Sequence, residues 1–340
     1  MEIVPVEQAL GMVLCHDLTQ IIPNEFKGVA FKKGHIIKEE DIPRLLDIGK
    51  KSIYVWEMKE GILHENDAAK RIAKGAMGDK IILTQPSEGK VNLVAGCIGV
   101  LKINYKALEC INMIDEAMFA TLHTDILVAE GDIIGGTRVI PLFIDEYKIK
   151  QIEDICKEEG PIVWVLPLKS MKVGIITTGS EVYDGRIVDK FGPIIEEKVK
   201  GIGSEVIKQI FVTDSVDMIA DAVRELLIDG AEMILVTGGM SVDPDDVTPK
   251  GIKEAGAKII SYGAPVLPGS MFLMSYIGDI PVMGLPGCIM YSKRTVLDLI
   301  LPKVAANEKI TKMDIIKLGH GGMCLNCEIC SFPRCSFGKW

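Results

Sequence analysis

Two groups of residues in this 340-residue chain have types and spacings that could do chemistry. The first is a trio of glycine-bearing segments, Thr177-Thr178-Gly179-Ser180-Glu181, Thr237-Gly238-Gly239-Met240-Ser241 and Gly284-Leu285-Pro286-Gly287-Cys288. Glycine lets a backbone come close to a ligand, and successive amides in such a loop can hold a phosphate. The same residues also serve as plain tight turns between strand and helix. Directly after the second loop runs Asp243-Pro244-Asp245-Asp246-Val247-Thr248-Pro249. Three adjacent carboxylates repel one another unless a cation or partner is present, and Mg2+ bridging to a substrate phosphate suits them. The competing role is helix capping by Asp246 or Thr248, ahead of a helix that begins at Pro249. Asp189, before Gly192-Pro193, is open to the same two roles. Lys190, Lys250, Lys293 and Arg294 are the nearest cations by sequence that could meet an anion.

The second group is the run Cys324-x2-Cys327-x2-Cys330-x4-Cys335, with His320-Gly321-Gly322 just upstream. Four thiols this close are an oxidation hazard unless a metal holds them, and a metal deprotonates them outright. Four thiolates suit a tetrahedral Zn2+ site. Three cysteines at successive three-residue steps suit an iron–sulfur centre equally, although the last gap is longer and no proline follows it. Cys15, Cys97, Cys110 and Cys156 are scattered through apolar surroundings and read as small core residues.

The elements that must position these residues divide near Pro161 and Pro167. From about Met171 apolar runs alternate with amphipathic helices. Strands are predicted over Met171–Ile176, Glu205–Phe211, Met233–Val236 and Ala257–Ser261, with helices over Pro193–Lys200, Val216–Ile228 and Pro249–Ala255. Met271–Ile277 and Pro281–Met283 read as a strand pair turned by Gly278-Asp279, and Ile289–Val304 as one long helix. Repeated strand–helix units imply a mostly parallel sheet covered on both faces. All three glycine loops then fall on the edge formed by the strand C-termini, where ligands bind. The first 165 residues read as α+β: helices over Glu39–Ile48, Asp67–Met77 (capped by Asp67) and Tyr105–Ile114, strands over Ser52–Trp56 and within Lys90–Ile103, and a hairpin of Ile126–Val128 with Thr137–Ile144. This half names no chemistry.

With 48% hydrophobic and 25% charged residues the chain can bury a substantial core, which excludes disorder as its dominant state. Its net charge of −9 argues against general nucleic-acid binding but not against a small anion held by backbone amides. The most apolar tract, Ala264 to Tyr291, is broken by Pro265, Pro268, Pro281 and Pro286, so no membrane helix fits and no membrane is expected as partner. The N-terminus has no basic stretch leading into an apolar one, so the cytoplasm is the expected location.

Read in order, Thr178-Gly179-Ser180-Glu181, Asp189, Thr237-Gly238-Gly239-x-Ser241, Asp246 and Leu285-Pro286-Gly287 resemble the molybdopterin-binding domain. That domain is shared by molybdopterin adenylyltransferases and molybdopterin molybdenumtransferases, including gephyrin. The resemblance covers about residues 168–305. It implies a three-layer α/β domain over 168–308; the residue pattern itself adds an α+β region over 1–165 of unassigned role before it and a Cys-rich metal-binding tail over 319–340 after it. It further implies a pocket for molybdopterin or its adenylylated form, with Asp246 and Asp189 at the family's two acidic positions as catalytic residues. Thr178, Gly179, Ser180, Glu181, Gly238, Gly239, Ser241, Pro286 and Gly287 would then bind the cofactor, with Mg2+ as the accompanying ion. Molybdate and a molybdoenzyme are the further partners implied, and a homo-oligomer is expected. Two departures bear on the reaction. Molybdenumtransferases read Pro-Gly-Lys-Pro where this chain has Pro268-Gly269-Ser270-Met271, and Leu-Pro-Gly-Asn-Pro where it has Leu285-Pro286-Gly287-Cys288-Ile289. The N-terminal half also has no Asp-Gly-Tyr-Ala segment. These departures support ligand binding better than metal insertion. The resemblance as a whole favours adenylyl or molybdate transfer in molybdenum cofactor biosynthesis, with a non-catalytic cofactor carrier as its rival. A nucleotide hydrolase of the competence-damage-inducible type is a third reading, suggested by Asp245-Asp246-Val247-Thr248.

Overall fold

The structure, a computed structural model, describes residues 2–22, 26–55 and 60–339. The chain forms two compact units: Met1–Val94, Asn104–Leu122 and Ile133–Val163 make the first, and Ala95–Ile103, His123–Asp132 and Trp164–Trp340 the second. Among the described residues no helix is long and apolar enough to cross a membrane.

The first unit is β-rich. Its largest sheet runs Ile81–Leu83, Lys90–Ala95, Ile133–Val139, Ala117–Thr121 in spatial order. The helix expected over Asp67–Met77 spans Glu65–Ala76, and its N-cap is His64, whose side chain accepts from the amide of Asn66. That helix is tied to Glu146–Glu159 by Arg71, which forks onto both carboxylate oxygens of Glu153 at 2.8 and 2.7 Å and reaches Glu146 at 2.8 Å. The strand expected over Ser52–Trp56 covers Ser52–Val55; Trp56 lies outside the described residues. Cys110 is exposed rather than in the core. The expected hairpin does not form. Leu127–Val128 pairs with Gly99 and Val100, whereas Ile133–Val139 pairs with Lys90–Val94 and with Ala117–Thr121. Glu130-Gly131-Asp132 is a turn between two sheets, a distinction that local turn chemistry does not encode.

The second unit is a three-layer α/β sandwich. The six strands of its main sheet are β1 (Lys172–Thr178), β2 (Glu205–Val212), β3 (Met233–Thr237), β4 (Lys258–Tyr262), β5 (Leu273–Ile277) and β6 (Ile280–Leu285). Their spatial order is β2-β1-β3-β6-β5-β4. The pairs β1/β2, β1/β3 and β3/β6 are parallel, while β5 runs antiparallel to β6 and to β4. Alternate residues of the central strands serve opposite faces, as a strand's period of two requires. Val173, Ile175, Met233 and Leu235 pack with α1 (Phe191–Gly201) and α4 (Val296–Ala305). Ile176, Ile234 and Val236 pack with α2 (Val216–Ile228) and α3 (Thr248–Glu254).

The long helix expected over Ile289–Val304 is two pieces. A single 3-10 turn spans Gly287–Met290, and α4 starts afresh after Thr295, which forms a reciprocal capping box with Asp298. A second capping box, Thr311 with Asp314, starts α5 (Lys312–Lys317), a helix not predicted from the pattern.

Two segments from the first half of the chain belong to this unit. Lys102 bonds Asp125 at 2.6 Å and Glu308 at 2.7 Å, and Lys303 also pairs with Asp125. Gly99 sits where a Cβ would come within 2.2 Å of the Leu166 carbonyl oxygen, so the neighbouring strand Val163–Pro167 admits no side chain there.

Candidate functional site

The C-terminal ends of β3 and β6 open onto a cavity of about 530 Å³. Its floor and one side are Gly238, Gly239, Met240, Ser241 and Asp246, and a second side is Pro286, Gly287 and Cys288. A third wall, Leu267–Met271, is the stretch between β4 and β5. Six residues assigned to the site from sequence therefore meet at one place: Gly238, Gly239, Ser241, Asp246, Pro286 and Gly287.

The first glycine loop does not line this cavity. Thr178 lies directly beneath it, buried, with its hydroxyl 3.4 Å from that of Thr248. Gly179 is also buried, while Ser180 and Glu181 are exposed. Ser180 is held by Asp214, which accepts from its amide at 3.1 Å and from its hydroxyl at 3.3 Å. Nothing in the sequence pattern singled out Asp214. Asp189 also stands off the cavity. Its carboxylate accepts from the amides of Phe191 and Gly192 at the start of α1, at 2.8 and 3.0 Å, and from Gln209 at 2.7 Å.

Four glycines line the cavity, and three of them answer to the protein itself. Gly238 and Gly239 have φ of +84° and +55°, and a Cβ on them would meet the Thr178 carbonyl oxygen at 2.4 Å and the Thr248 hydroxyl at 2.7 Å. Gly269 has φ of +129° and abuts Val296. Gly287 has neither a left-handed φ nor any atom within 4 Å of where its Cβ would be. Nothing in the fold requires glycine at 287.

The acidic stretch resolves into one cavity residue and its supports. Asp243 and Asp245 are exposed. Asp246 lines the cavity, and its Oδ2 accepts from the Asp243 amide at 2.9 Å, closing the turn that aims it. Neither Asp246 nor Thr248 caps α3, whose N-cap is Val247 without a side-chain bond. The Thr248 hydroxyl instead donates to the Gly238 carbonyl at 2.8 Å and fixes the glycine loop from below. Tyr262 donates to the Met240 carbonyl at 2.9 Å from the side; burial, and then Asp246, push its phenol pKa up. Asp246 is the one charged side chain lining the cavity among the described residues. The amides of Gly239, Met240 and Ser241 donate to no protein acceptor among the described residues.

A hollow of about 570 Å³ lined by Lys198, Arg294, Asp298 and Phe332 borders the site. It shares Met290 and Tyr291 with the first cavity but contains none of the glycine loops.

Residues 174–306 match the family described as "Probable molybdopterin binding domain". That match lies within the second unit. Residues 3–57 match a family described only as a domain of unknown function. The molybdopterin adenylyltransferase of Pyrococcus furiosus is 29% identical over 161 residues, which are 47% of this chain and 89% of that protein. A CinA-like protein of Thermotoga neapolitana is 34% identical over 84 residues, 25% of this chain and 20% of that protein. The chain thus spans about a fifth of that relative's length. The solved structure of the tungsten cofactor synthesizing protein MoaB from Pyrococcus furiosus aligns with a TM-score of 0.33 at 23% identity, covering 40% of this chain and 92% of that one.

Proposed function

We propose that the cavity beside Gly238-Gly239 binds molybdopterin through its terminal phosphate, and that the protein transfers an adenylyl group to or from that phosphate during molybdenum cofactor biosynthesis. The observation that carries this is the convergence of Gly239, Ser241, Asp246 and Gly287 on one cavity. Amides at Gly239–Ser241 without protein acceptors suit a phosphate. A phosphate dianion facing the Asp246 carboxylate is repelled unless a cation lies between them, and the donor set fits Mg2+. The ion is characteristically held by one or two carboxylates together with substrate phosphates, and Asp246 keeps Oδ1 available while Oδ2 holds the Asp243 amide. When bound, Mg2+ would offset the charge that builds up on the transferring phosphoryl oxygens. The chain's own part is to orient: the glycine loop fixes the phosphate, the Asp243–Asp246 turn fixes the carboxylate, and Pro286-Gly287 admits the ligand closely. In adenylyl transfer from ATP, a molybdopterin phosphate oxygen attacks the α-phosphorus and pyrophosphate leaves. Zn2+ or an iron–sulfur centre on Cys324, Cys327, Cys330 and Cys335 belongs to the same reading as a separate cofactor.

A carrier that holds finished cofactor for a molybdoenzyme is the second reading. It is favoured by Ser270, which lines the cavity where a lysine would meet an anion in a molybdenumtransferase, and by the absence of any Lys or Arg from the lining among the described residues. Asp246→Asn separates the two readings. Asparagine keeps an oxygen for the Asp243 amide but loses the charge. Transfer requires Mg2+-dependent turnover to fall by about two orders of magnitude or more in a variant that melts like the parent. An undiminished rate would remove Asp246 from the reaction. A wild-type protein that binds molybdopterin and turns nothing over would leave the carrier.

A further inference from the structure

The tail that carries the four cysteines is bonded to Leu267 of the proposed pterin cavity and to Lys293 and Arg294, just past its lining residue Tyr291. Cys324, Cys327, Cys330 and Cys335 all line a single small hollow of about 30 Å³, together with Arg294, Phe332 and Phe337. Cys324 and Cys335 are half-buried against the main core of the second unit, and Cys327 and Cys330 are exposed. The base of the tail is closely fitted. The Leu267 amide donates to the Gly322 carbonyl and the Cys324 amide to the Leu267 carbonyl, each at 2.8 Å, and Gly338 closes back onto Gly321 at 2.9 Å. A Cβ on Gly322 would meet the Leu318 and Pro265 carbonyl oxygens at 2.3 and 2.5 Å. Leu267 opens the Leu267–Met271 wall of the cavity. Just past Tyr291, Lys293 donates to the Glu328 carbonyl at 2.7 Å and Arg294 stacks on Phe332 at 4.9 Å. Deleting the tail would therefore strip the core of Phe337 as well as the thiols, so the tail is no detachable appendage.

The middle of the tail has little else to order it. Residues 325–330 make no backbone–backbone hydrogen bond among the described residues, where the Glu328 carbonyl accepts from the Lys293 side chain, and Leu325 and Ile329 are 76% and 87% exposed. Such a segment gains its order from an added cross-link or not at all. The Arg294 Nε donor is buried beside the same hollow without a partner. A thiolate or an inorganic sulfide would satisfy it, and the charge of Lys293, with that of Arg294 shared with Asp298 at 2.9 Å, would partly offset the net negative charge of a tetrathiolate centre. Among the described residues no three His, Cys, Asp or Glu side chains are placed to hold an ion as they stand. Ligation therefore requires the exposed Cys327 and Cys330 to turn in toward the anchored Cys324 and Cys335, a movement open to a segment that makes no backbone–backbone hydrogen bond.

We propose that Cys324, Cys327, Cys330 and Cys335 bind one thiolate-ligated metal centre, a Zn2+ ion or an iron–sulfur cluster, and that this centre braces the Leu267–Met271 wall of the pterin cavity from behind. It rests on the proposed function only for the identity of the cavity's ligand.

The test uses the full chain, purified anaerobically, with metal and inorganic sulfide quantified per chain. Hydrogen exchange is then compared in the native protein, after chelation, after reconstitution with Zn2+ or with Fe2+ and sulfide, and in the Cys327→Ser/Cys330→Ser double variant. Those two cysteines are exposed, so the core is untouched. One Zn2+ per chain, or iron with matching sulfide and absorption near 400 nm, is expected. Metal loss should speed exchange over 263–271 by about tenfold or more while α2 stays unchanged, and reconstitution should restore it. A protein without metal whose four thiols titrate as free cysteines overturns the site. Metal loss that leaves 263–271 unaltered overturns the brace. Neither measurement uses a pterin, so a metal-dependent wall in a protein that binds no molybdopterin would refute the proposed function alone.

Discussion

Gly239 and Gly287 both line the cavity, yet the protein needs them for different reasons. Gly239 is held at φ +55° with the Thr248 hydroxyl 2.7 Å from any Cβ. Valine there should destabilise the fold by about 1–3 kcal/mol as well as weaken binding, because the backbone strain and the clash exist without ligand. Gly287 meets no such demand. Gly287→Val should melt within about 0.5 kcal/mol of the parent, yet bind a pterin phosphate at least about tenfold more weakly by calorimetry. If both variants lose stability alike and Gly287→Val binds normally, the glycine at 287 is not there for a ligand.

Among the elements, the glycine loops are useful only because β3, β6 and α3 hold them. Thr248 at the first turn of α3 ties the Gly238 carbonyl, and Asp189 ties the start of α1 to Gln209 on β2. Asp189→Ala should cost about 1 kcal/mol, the usual loss for a carboxylate that satisfies helix-start amides, read as a lower urea midpoint. A folded variant with full stability and no turnover would instead put Asp189 in the chemistry. Much of this architecture was legible. The strand–helix alternation after Met171 follows directly from hydrophobic period, and Val216–Ile228 was bounded correctly because Ser215 caps it and its apolar face is continuous. What was not legible depended on long-range partners. The sheet assignment of Leu127–Val128 is set by Gly99 and Val100, and the break after Met290 by a capping box buried within an apolar run. Within the site, Ser241, Asp246 and Gly287 were readable from type and spacing. Asp214 beneath Ser180 was not, because a lone loop carboxylate carries no pattern.

At the scale of the whole chain, the second unit is completed by segments contributed before residue 133, and a mostly buried charge network secures them. Burial alone would lift the Asp125 carboxyl, but Lys303 and Lys102 outweigh it and hold it below the usual carboxylate range. Burial would likewise lower Lys102, but Asp125 and Glu308 raise it. A carboxyl depressed on folding stabilises above its unfolded value of about 3.9 and loses that contribution as pH falls through the folded one. A raised lysine stabilises below about 10.4 and loses it as pH rises through its folded value. Stability from the network should therefore be level between about pH 4 and 10 and decline outside. Asp125→Asn, which takes the carboxylate from Lys303 and leaves Lys102 with Glu308 alone, should cost about 3 kcal/mol at pH 7 and flatten the acid limb of a urea-midpoint profile. An unaltered midpoint and acid limb would show that the network does not secure these segments. The account as a whole turns on what the cavity holds, and anaerobic calorimetry of the full chain with molybdopterin and Mg2+ asks this most directly. The account predicts one molybdopterin per chain, bound more tightly with Mg2+ than without it, with that Mg2+ gain lost in Asp246→Asn and affinity lowered in Gly287→Val. No binding to the wild-type protein, or equal binding to all three, would contradict it.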